Sequence, residues 1–288
     1  MKLLNATKQR QWIKPFLTLV CLFALSYSLP DKTVDPWNIF NPKKMSTMVL
    51  ALTFIQFAGA LLLQLLGTRV GAILTGFLGG LISSTATVAT LAKKSKTSIH
   101  KKNTTSEILI FLAATIAMLA EGISILLFGS KNLDAAILIV FLGPTMAASI
   151  LIFLNTKKSS EKTLRPQEDR FDLLPILKLS AFIVAILSIS KILQTFLGKS
   201  GLLVFTFVVS LFEIHGSFIA NIQLHDAGAF DSRMLGNLVA VSIAASCLSK
   251  LFLIHTLGSV YLKVQARKLT FYLLIALAAS WLVFNWVG

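Results

Sequence analysis

Long uncharged apolar stretches alternate with short polar loops along most of this chain. A window of about 19 residues finds apolar segments at 12–29, 46–66, 71–92, 107–129, 133–154, 173–196, 201–223, 235–257 and 268–287. At a rise of about 1.5 Å per residue, each is long enough to cross a hydrocarbon core. The pattern predicts an all-α polytopic membrane protein with about seven to nine transmembrane segments.

Two of these segments are unlike a lipid-facing helix, which normally consists of Leu, Ile, Val and Phe. Segment 71–92 is rich in Gly, Ser and Thr, and segment 201–223 contains Glu213 and His215. Both are therefore expected to face protein or water. We call them the first and the second polar segment. Close helix packing through small residues is the alternative explanation of the first.

The two polar segments align with each other. When their first glycines are superposed, Ser83 falls on Glu213 and Thr85 on His215, and the apolar spans that follow agree in order. The chain is therefore interpreted as two related halves. The expected organisation is an N-terminal span and outer loop (1–45), a first membrane repeat (46–154), a charged cytoplasmic linker (155–172) and a second membrane repeat (173–288).

Loop charges favour a re-entrant path for both polar segments. If every segment crosses, Lys and Arg are shared almost evenly between the two sides. If the polar segments enter and leave on one side, with a cytoplasmic N-terminus, most basic residues become cytoplasmic, as the positive-inside rule requires. Each half then has three full spans, so the halves insert in opposite orientations. Inverted repeats of this kind occur in many secondary transporters.

Composition supports the membrane class and excludes others. The chain is 55% hydrophobic and 14% charged, with a mean hydropathy of +0.79. Its net charge of +15 lies mostly in loops, where it meets anionic head groups rather than nucleic acid. Cys21 and Cys247 lie inside apolar spans, so neither a disulfide nor a zinc site is expected. The basic N-terminus and first apolar run imitate a signal peptide, but we expect an uncleaved span.

One run of residues is specific enough to indicate a family. Gly79–Thr87 reads GGLISSTAT, and it is accompanied by Leu29-Pro30-Asp31, Asp35-Pro36, Asn41-Pro42, residues 211–217 and Gly258. Over roughly 12–265, the chain resembles the C-terminal integral-membrane domain of unknown function of MgtC/SapB-family bacterial proteins. The resemblance implies a bacterial inner-membrane location, an uncleaved first span and a loose association with ion homeostasis. It supplies no reaction.

The chain departs from that family in three ways. Glu213 and His215 stand where the family tends to have two aspartates, and Glu121 stands where it has an arginine. The MgtC-like half that usually comes first is not among these residues. We therefore expect that a separately encoded MgtC-like membrane protein is a partner.

Charged side chains at membrane depth are functional candidates, because each costs about 2.5–3.5 kcal/mol on insertion scales. Glu213 with His215 is either a proton or cation site or a polar pair that ties helices together. A helix break at Gly216 would free carbonyls for an ion. Lys250 either neutralises Glu213 or Glu121, or is the charge that a substrate displaces.

Hydroxyl side chains of the first polar segment are candidates for the same site. Ser83, Ser84, Thr85 and Thr87 could ligate a dehydrated cation or donate to an anion at a half-helix N-terminus. The alternative is that they bond back to their own helix. Breaks are expected at Gly79-Gly80 in the first polar segment and at Gly216 in the second.

These features predict a membrane transporter or channel for a small ion or solute, with coupling to protons. A regulatory or scaffold subunit acting on another membrane protein is the alternative. No catalytic residues or cofactor are expected, because the chain lacks phosphate-loop, zinc-protease and serine-hydrolase patterns. His225-Asp226 and Asp231 form either a weak metal site or a solvated turn. The expected partners are the bilayer, the ion and further copies of the chain.

Overall fold

The computed structural model describes residues 16–35, 40–66, 71–97, 104–130, 133–156 and 173–287, with only the backbone for 97, 104, 173–182, 184 and 191–197. Within these ranges every regular element is helical. The elements are α1 (Phe16–Ser28), α2 (Pro42–Leu66), α3 (Ala72–Thr97), α4 (Thr104–Gly129), a 3₁₀ turn (Ala135–Leu138) leading into α5 (Ile139–Thr156), α6 (Leu173–Phe212), α7 (Ile214–Asp226), α8 (Ser232–Leu257) and α9 (Val260–Val287).

The described helices confirm the prediction of an all-α polytopic membrane protein. Six are long and apolar enough to cross a membrane: α2, α3, α4, α5 with its 3₁₀ turn, α8 and α9. The helix α1 is shorter, and the start of the predicted first span lies outside the described residues, as does most of the predicted linker 155–172. Of the spans, α4 is the most deeply buried.

Polar contacts identify which helix ends lie at each side of the molecule. On one side, which we call face A, Asp226 at the end of α7 pairs with Lys44 of α2 and accepts a hydrogen bond from Ser130 after α4 at 3.2 Å. On the opposite side, face B, the Ser259 N–H between α8 and α9 donates to Ser95 Oγ of α3 at 2.8 Å.

The helix α3 folds back on itself instead of crossing. A Cβ on Gly76 would lie 2.7 Å from Ile110 Cα, and one on Gly80 would lie 2.7 Å from Ala114 Cα. The first arm of α3 therefore runs parallel to α4, away from face B. Beyond the turn, Thr87 Oγ1 lies 3.0 Å from the Cβ position of Gly79, although eight residues of straight helix would separate them by about 12 Å.

The turn of this hairpin is at Ser83, whose backbone is extended (φ −167°, ψ 107°). Ser95, near the end of the second arm, lies at face B. The first arm therefore begins at that face and the second arm ends there. The first polar segment is thus re-entrant from face B, even though its length and composition would suffice for a crossing.

The second polar segment forms an equivalent hairpin from face A. Gly198, with φ of 62°, separates its first arm (Gly198–Phe212) from the preceding part of α6. That arm runs parallel to α8, because Lys199 lies 3.8 Å from Asp231 and Ser210 Oγ lies 3.0 Å from Ser242 Oγ. The turn is at Glu213 (φ −148°, ψ 102°), and α7 returns to face A.

Helix packing is the same around both hairpins. The first hairpin packs on α4 and the second on α8, the helix that follows each in the chain. Each hairpin also contacts the other's supporting helix, since α3 packs on α8 and α7 packs on α4, and α5 packs on α9. The helices thus form two series with the same order of contacts: the first hairpin, α4 and α5, and the second hairpin, α8 and α9.

The predicted break positions were wrong, although the predicted alignment of the two segments holds at the breaks. Gly79 and Gly80 are helical and allow close packing within the hairpin and against α4, and Gly216 lies in the first turn of α7. The breaks are at Ser83 and Glu213 instead. Their extended φ values are open to any residue, so a break there does not require glycine.

Candidate functional site

Both hairpin tips lie deep in the molecule. The arms that follow Ser83 and Glu213 are about 20 Å long at 1.5 Å per residue, and each returns to the face from which its hairpin entered. In a hydrocarbon core about 30 Å thick, such arms reach the middle region from opposite sides. The residues that the sequence alignment pairs therefore occupy the two positions of greatest depth.

Each tip residue caps the arm that follows it. Ser83 Oγ accepts a hydrogen bond from the Ala86 N–H at 3.2 Å, and Glu213 Oε1 accepts one from the His215 N–H at 3.0 Å. Side-chain oxygens at this position satisfy backbone donors that a helix start leaves free. The cap explains why the chain breaks at these residues rather than at a nearby glycine.

Two carboxylates flank the imidazole of His215. Its Nδ1 lies 3.1 Å from Glu213 Oε1, and its Nε2 lies 3.1 Å from Glu121 Oε2 on α4. Although the second distance is short, the two groups are not aligned as a hydrogen bond, and among the described residues neither Glu121 oxygen has a hydrogen-bond partner. The Glu121 side chain is 1% exposed, whereas that of Glu213 is 36% exposed.

This arrangement, which we call the carboxylate–imidazole cluster, suits proton binding. An imidazolium is able to donate through both ring nitrogens, and a carboxylate oxygen lies 3.1 Å from each of them. A proton is therefore able to lie on the ring or on either carboxylate with little movement of heavy atoms. Because Glu213 is partly exposed and Glu121 is buried, the cluster joins an accessible carboxylate to an inaccessible one.

Lys250 of α8 is buried close to this cluster. Its side chain is 1% exposed, and its Nζ donates to Ser246 Oγ at 2.7 Å and to Met118 Sδ of α4 at 2.9 Å. The carboxylates of Glu121 and Glu213 attract its positive charge electrostatically. No carboxylate in the described ranges, however, lies within 4 Å of its Nζ. Neutralisation of these carboxylates by Lys250, one of the two alternatives drawn from the sequence, does not take the form of a direct ion pair.

The hydroxyls of the first polar segment are distributed over several surroundings. Ser84 is buried, Thr85 is exposed, and Thr87 packs against Gly79 inside the hairpin. Among the described residues, no hydrogen bond joins any of these hydroxyls, or Ser83, to Glu213 or His215.

Helix α4 contacts both hairpins near their tips and thereby holds the two tips at a similar depth. The Cβ position of Gly80 in the first hairpin is 2.8 Å from Ala117 Cβ, and one helical turn later Glu121 contacts His215 of the second hairpin. A single turn of α4 therefore separates the points at which the two hairpins meet it. These contacts do not establish that the two polar segments form one site, as the sequence predicts. They establish that both hairpins pack against the same helix, α4.

Sequence reasoning missed a line of buried hydroxyls beside the second hairpin. Ser210 Oγ donates to Ser242 Oγ, which also lies 3.4 Å from Ser217 Oγ, and the Asn221 amide donates to Ser217 Oγ at 3.5 Å. Ser217 and Asn221 are one helical turn apart on α7. This spacing of polar residues in the sequence could have indicated the line of hydroxyls.

The polar loop at 225–231 also differs from expectation. Asp226 is not in a solvated turn: it is in the last turn of α7, and its side chain is 5% exposed beside Lys44. Asp231 caps α8 by accepting the Met234 N–H at 2.8 Å. Within the described ranges, no three His, Cys, Asp or Glu residues are close enough to hold a metal ion.

Comparison with known proteins assigns the chain to a family without naming a reaction. Residues 50–258 match the family described as a domain of unknown function (DUF4010), from inside α2 to the glycine that ends α8. Both hairpins and all the candidate residues fall inside the match. No curated protein and no solved structure matches the chain. The chain belongs to the DUF4010 family.

Proposed function

We propose that this protein is a membrane transporter for a small ion and that its transport is coupled to proton binding by the carboxylate–imidazole cluster. The observation that carries the proposal is the pair of re-entrant hairpins, which enter from opposite faces and meet α4 one turn apart. Broken segments that meet near the midplane between inverted halves are typical of secondary transporters. A bacterial inner membrane with face B on the cytoplasmic side is the location we propose.

Burial supports a role for the cluster in proton movement. A carboxylate at membrane depth is expensive to keep charged, and Glu121 is almost fully buried without an aligned hydrogen bond. Proton exchange with His215 offers a way to neutralise it, since imidazole and carboxylate groups are both able to bind a proton. The partly exposed Glu213 provides the point where a proton enters or leaves.

A regulatory or scaffold subunit, with a separately encoded MgtC-like protein as its partner, is the other function predicted from sequence. It accounts equally well for the membrane location. It does not need a titratable cluster between two re-entrant hairpins, and it requires no ion flux. Flux measurement therefore separates the two functions.

Purified protein in liposomes with a trapped pH-sensitive dye tests the proposal. Gradients of sodium, potassium, magnesium, chloride or nitrate are imposed one at a time, and dye response reports coupled proton movement. We expect a response to at least one gradient, and Glu213→Gln and His215→Asn should reduce it to background. Glu107→Gln is the matched control, because Glu107 is a buried carboxylate of the bundle that lies in the first turn of α4, near face B and away from the cluster.

The control variant should retain the wild-type response. Folding of every variant is checked by its melting temperature in detergent. If folded wild-type protein gives no dye response and no tracer flux for any of these ions, transport is excluded and the regulatory function is favoured. Wild-type flux that survives in both cluster variants would instead contradict the proton role of the cluster.

A further inference from the structure

Lys250 is a buried cation with too few acceptors. An ammonium group has three N–H donors, and among the described residues this one donates to one hydroxyl oxygen, Ser246 Oγ, and to the thioether of Met118. A thioether is a weak acceptor, and Ser246 directs its own hydroxyl to the same sulfur. A buried charge in a protein is normally paired, so an anionic acceptor is the group that would complete these surroundings.

We propose that Lys250 Nζ and Ser246 Oγ bind a small monovalent anion that is transported together with a proton, an inference that rests on the proposed transport function. The anion replaces the Met118 sulfur as an acceptor for the ammonium. Met118 is an unbranched, adaptable side chain and moves aside without loss of a strong hydrogen bond.

Charge balance explains why the anion and the proton travel together. With Glu121 and Glu213 ionised and His215 and Lys250 protonated, the four groups sum to zero. Binding of the anion alone leaves one net negative charge, and binding of a proton alone leaves one net positive charge. Net charge is costly at this depth because the dielectric constant is low. Joint binding of one anion and one proton keeps the set neutral.

The charge of Lys250 itself opposes a cation at this position. Met118 of α4 contacts the ammonium, and Glu121 lies one turn further along that helix. Glu121 and Glu213 both contact His215 of the second hairpin, and on α8 the neighbouring titratable side chain is the buried Cys247 thiol. Because neither carboxylate pairs directly with the ammonium, its remaining N–H donor is available to an anion.

The proposed anion site lies between the two helices that support the hairpins. Its side chains come from α4 and α8, which support the two hairpins in the same way. Ser246 and Lys250 on α8 reach Met118 on α4 and thus lie between the two series of helices. An anion bound there contacts both series at once.

Anion uptake into liposomes tests the inference, with chloride, nitrate and formate as probes and the membrane potential clamped by valinomycin and potassium. Wild-type uptake of at least one of these anions should increase when the outside is made more acidic than the lumen. Lys250→Met should abolish that uptake, and Lys250→Arg should retain part of it. Lys268→Met, on the exposed side of α9, is the control and should leave uptake unchanged.

Binding is measured separately, by the shift of melting temperature that each anion causes in detergent. A ligand that binds only the folded state raises that temperature, so the effective anion should stabilise the wild type and not Lys250→Met. Proton-coupled cation flux without anion flux would overturn this inference and leave the proposed function standing. Anion uptake that persists in Lys250→Met would also overturn it. The absence of all flux in folded wild-type protein would instead contradict the proposed function itself.

Discussion

The two ends of α3 should be accessible from the same side of the membrane. An uninterrupted helix of its 26 residues would be about 39 Å long, which exceeds a hydrocarbon core of about 30 Å and would put its ends in opposite compartments. In the hairpin, both ends lie at face B. Single cysteines at Gly71 and Lys96, which are exposed, report this difference.

The assay uses a background that lacks Cys21 and Cys247 and a maleimide that does not cross membranes. Right-side-out and inside-out vesicles are labelled in parallel. We expect Gly71→Cys and Lys96→Cys to be labelled in the same vesicle type, the inside-out one if face B is cytoplasmic.

The two ends of the second hairpin should also be accessible from one side of the membrane, opposite to the side that exposes the ends of α3. Lys199→Cys and Ala227→Cys, at the two ends of that hairpin and both exposed, should be labelled together in the opposite vesicle type. If Gly71→Cys and Lys96→Cys are labelled from opposite sides, α3 crosses the membrane, and the parallel packing of its first arm on α4 is refuted. The inverted relation of the two halves would then fail as well.

Three further changes have expected effects on stability, each measured by thermal unfolding in detergent. Gly143→Ala should cost about 1–3 kcal/mol, because its Cβ would overlap the Ala276 carbonyl oxygen of α9. Asp226→Ala should cost about 3 kcal/mol, since it removes the carboxylate from a largely buried pair with Lys44. Asp231→Ala should cost about 0.5–2 kcal/mol through loss of the α8 cap.

The Asp231 effect should also depend on pH. The hydrogen bond from the Met234 N–H, with a smaller contribution from Lys199, lowers the pKa of the Asp231 carboxyl. A lowered folded-state pKa stabilises the fold above the unfolded-state pKa, and this contribution is lost as the pH falls through the folded-state pKa. The gap between wild type and Asp231→Ala should therefore be full at neutral pH and shrink in acid; a constant gap would contradict the cap.

Controls accompany the other two changes. Gly71→Ala introduces a methyl group with nothing within 4 Å of its position, so its melting temperature should equal that of the wild type. Lys44→Ala should lower stability less than Asp226→Ala, because Asp226 has a second partner in Ser130. Unchanged melting temperatures in Gly143→Ala or Asp226→Ala would show that these contacts contribute nothing.

The hydrophobic pattern was sufficient to predict the class, and loop charge favoured the re-entrant path over a full crossing. Apolar length identifies spans because a bilayer has a fixed thickness, and the positive-inside rule distinguishes one topology from another. The internal alignment paired Ser83 with Glu213, which proved to be the two turn residues. The exact break positions could not be predicted from glycine, because glycine also permits close helix packing and the turns needed a side-chain cap instead.

The site was predictable as a set of residue types but not as a set of contacts. Depth in an apolar span identifies Glu121, Glu213, His215 and Lys250, since charge there is expensive. Which of them meet depends on the rotation of α4 and α8 about their axes, and that is fixed by packing of the whole bundle. Sequence alone therefore left open that Glu121 contacts His215 while Lys250 contacts Met118.

The order of packing partners along the chain has a consequence for biogenesis. Each hairpin rests on the helix that follows it, α3 on α4 and the second hairpin on α8. During synthesis from the N-terminus, the first hairpin is therefore complete before α4 and α8, two of the helices that it packs on, exist. The second hairpin differs, because α4 has already been made and contacts α7. The first hairpin thus has to wait for a later span, whereas the second finds part of its supporting surface in place.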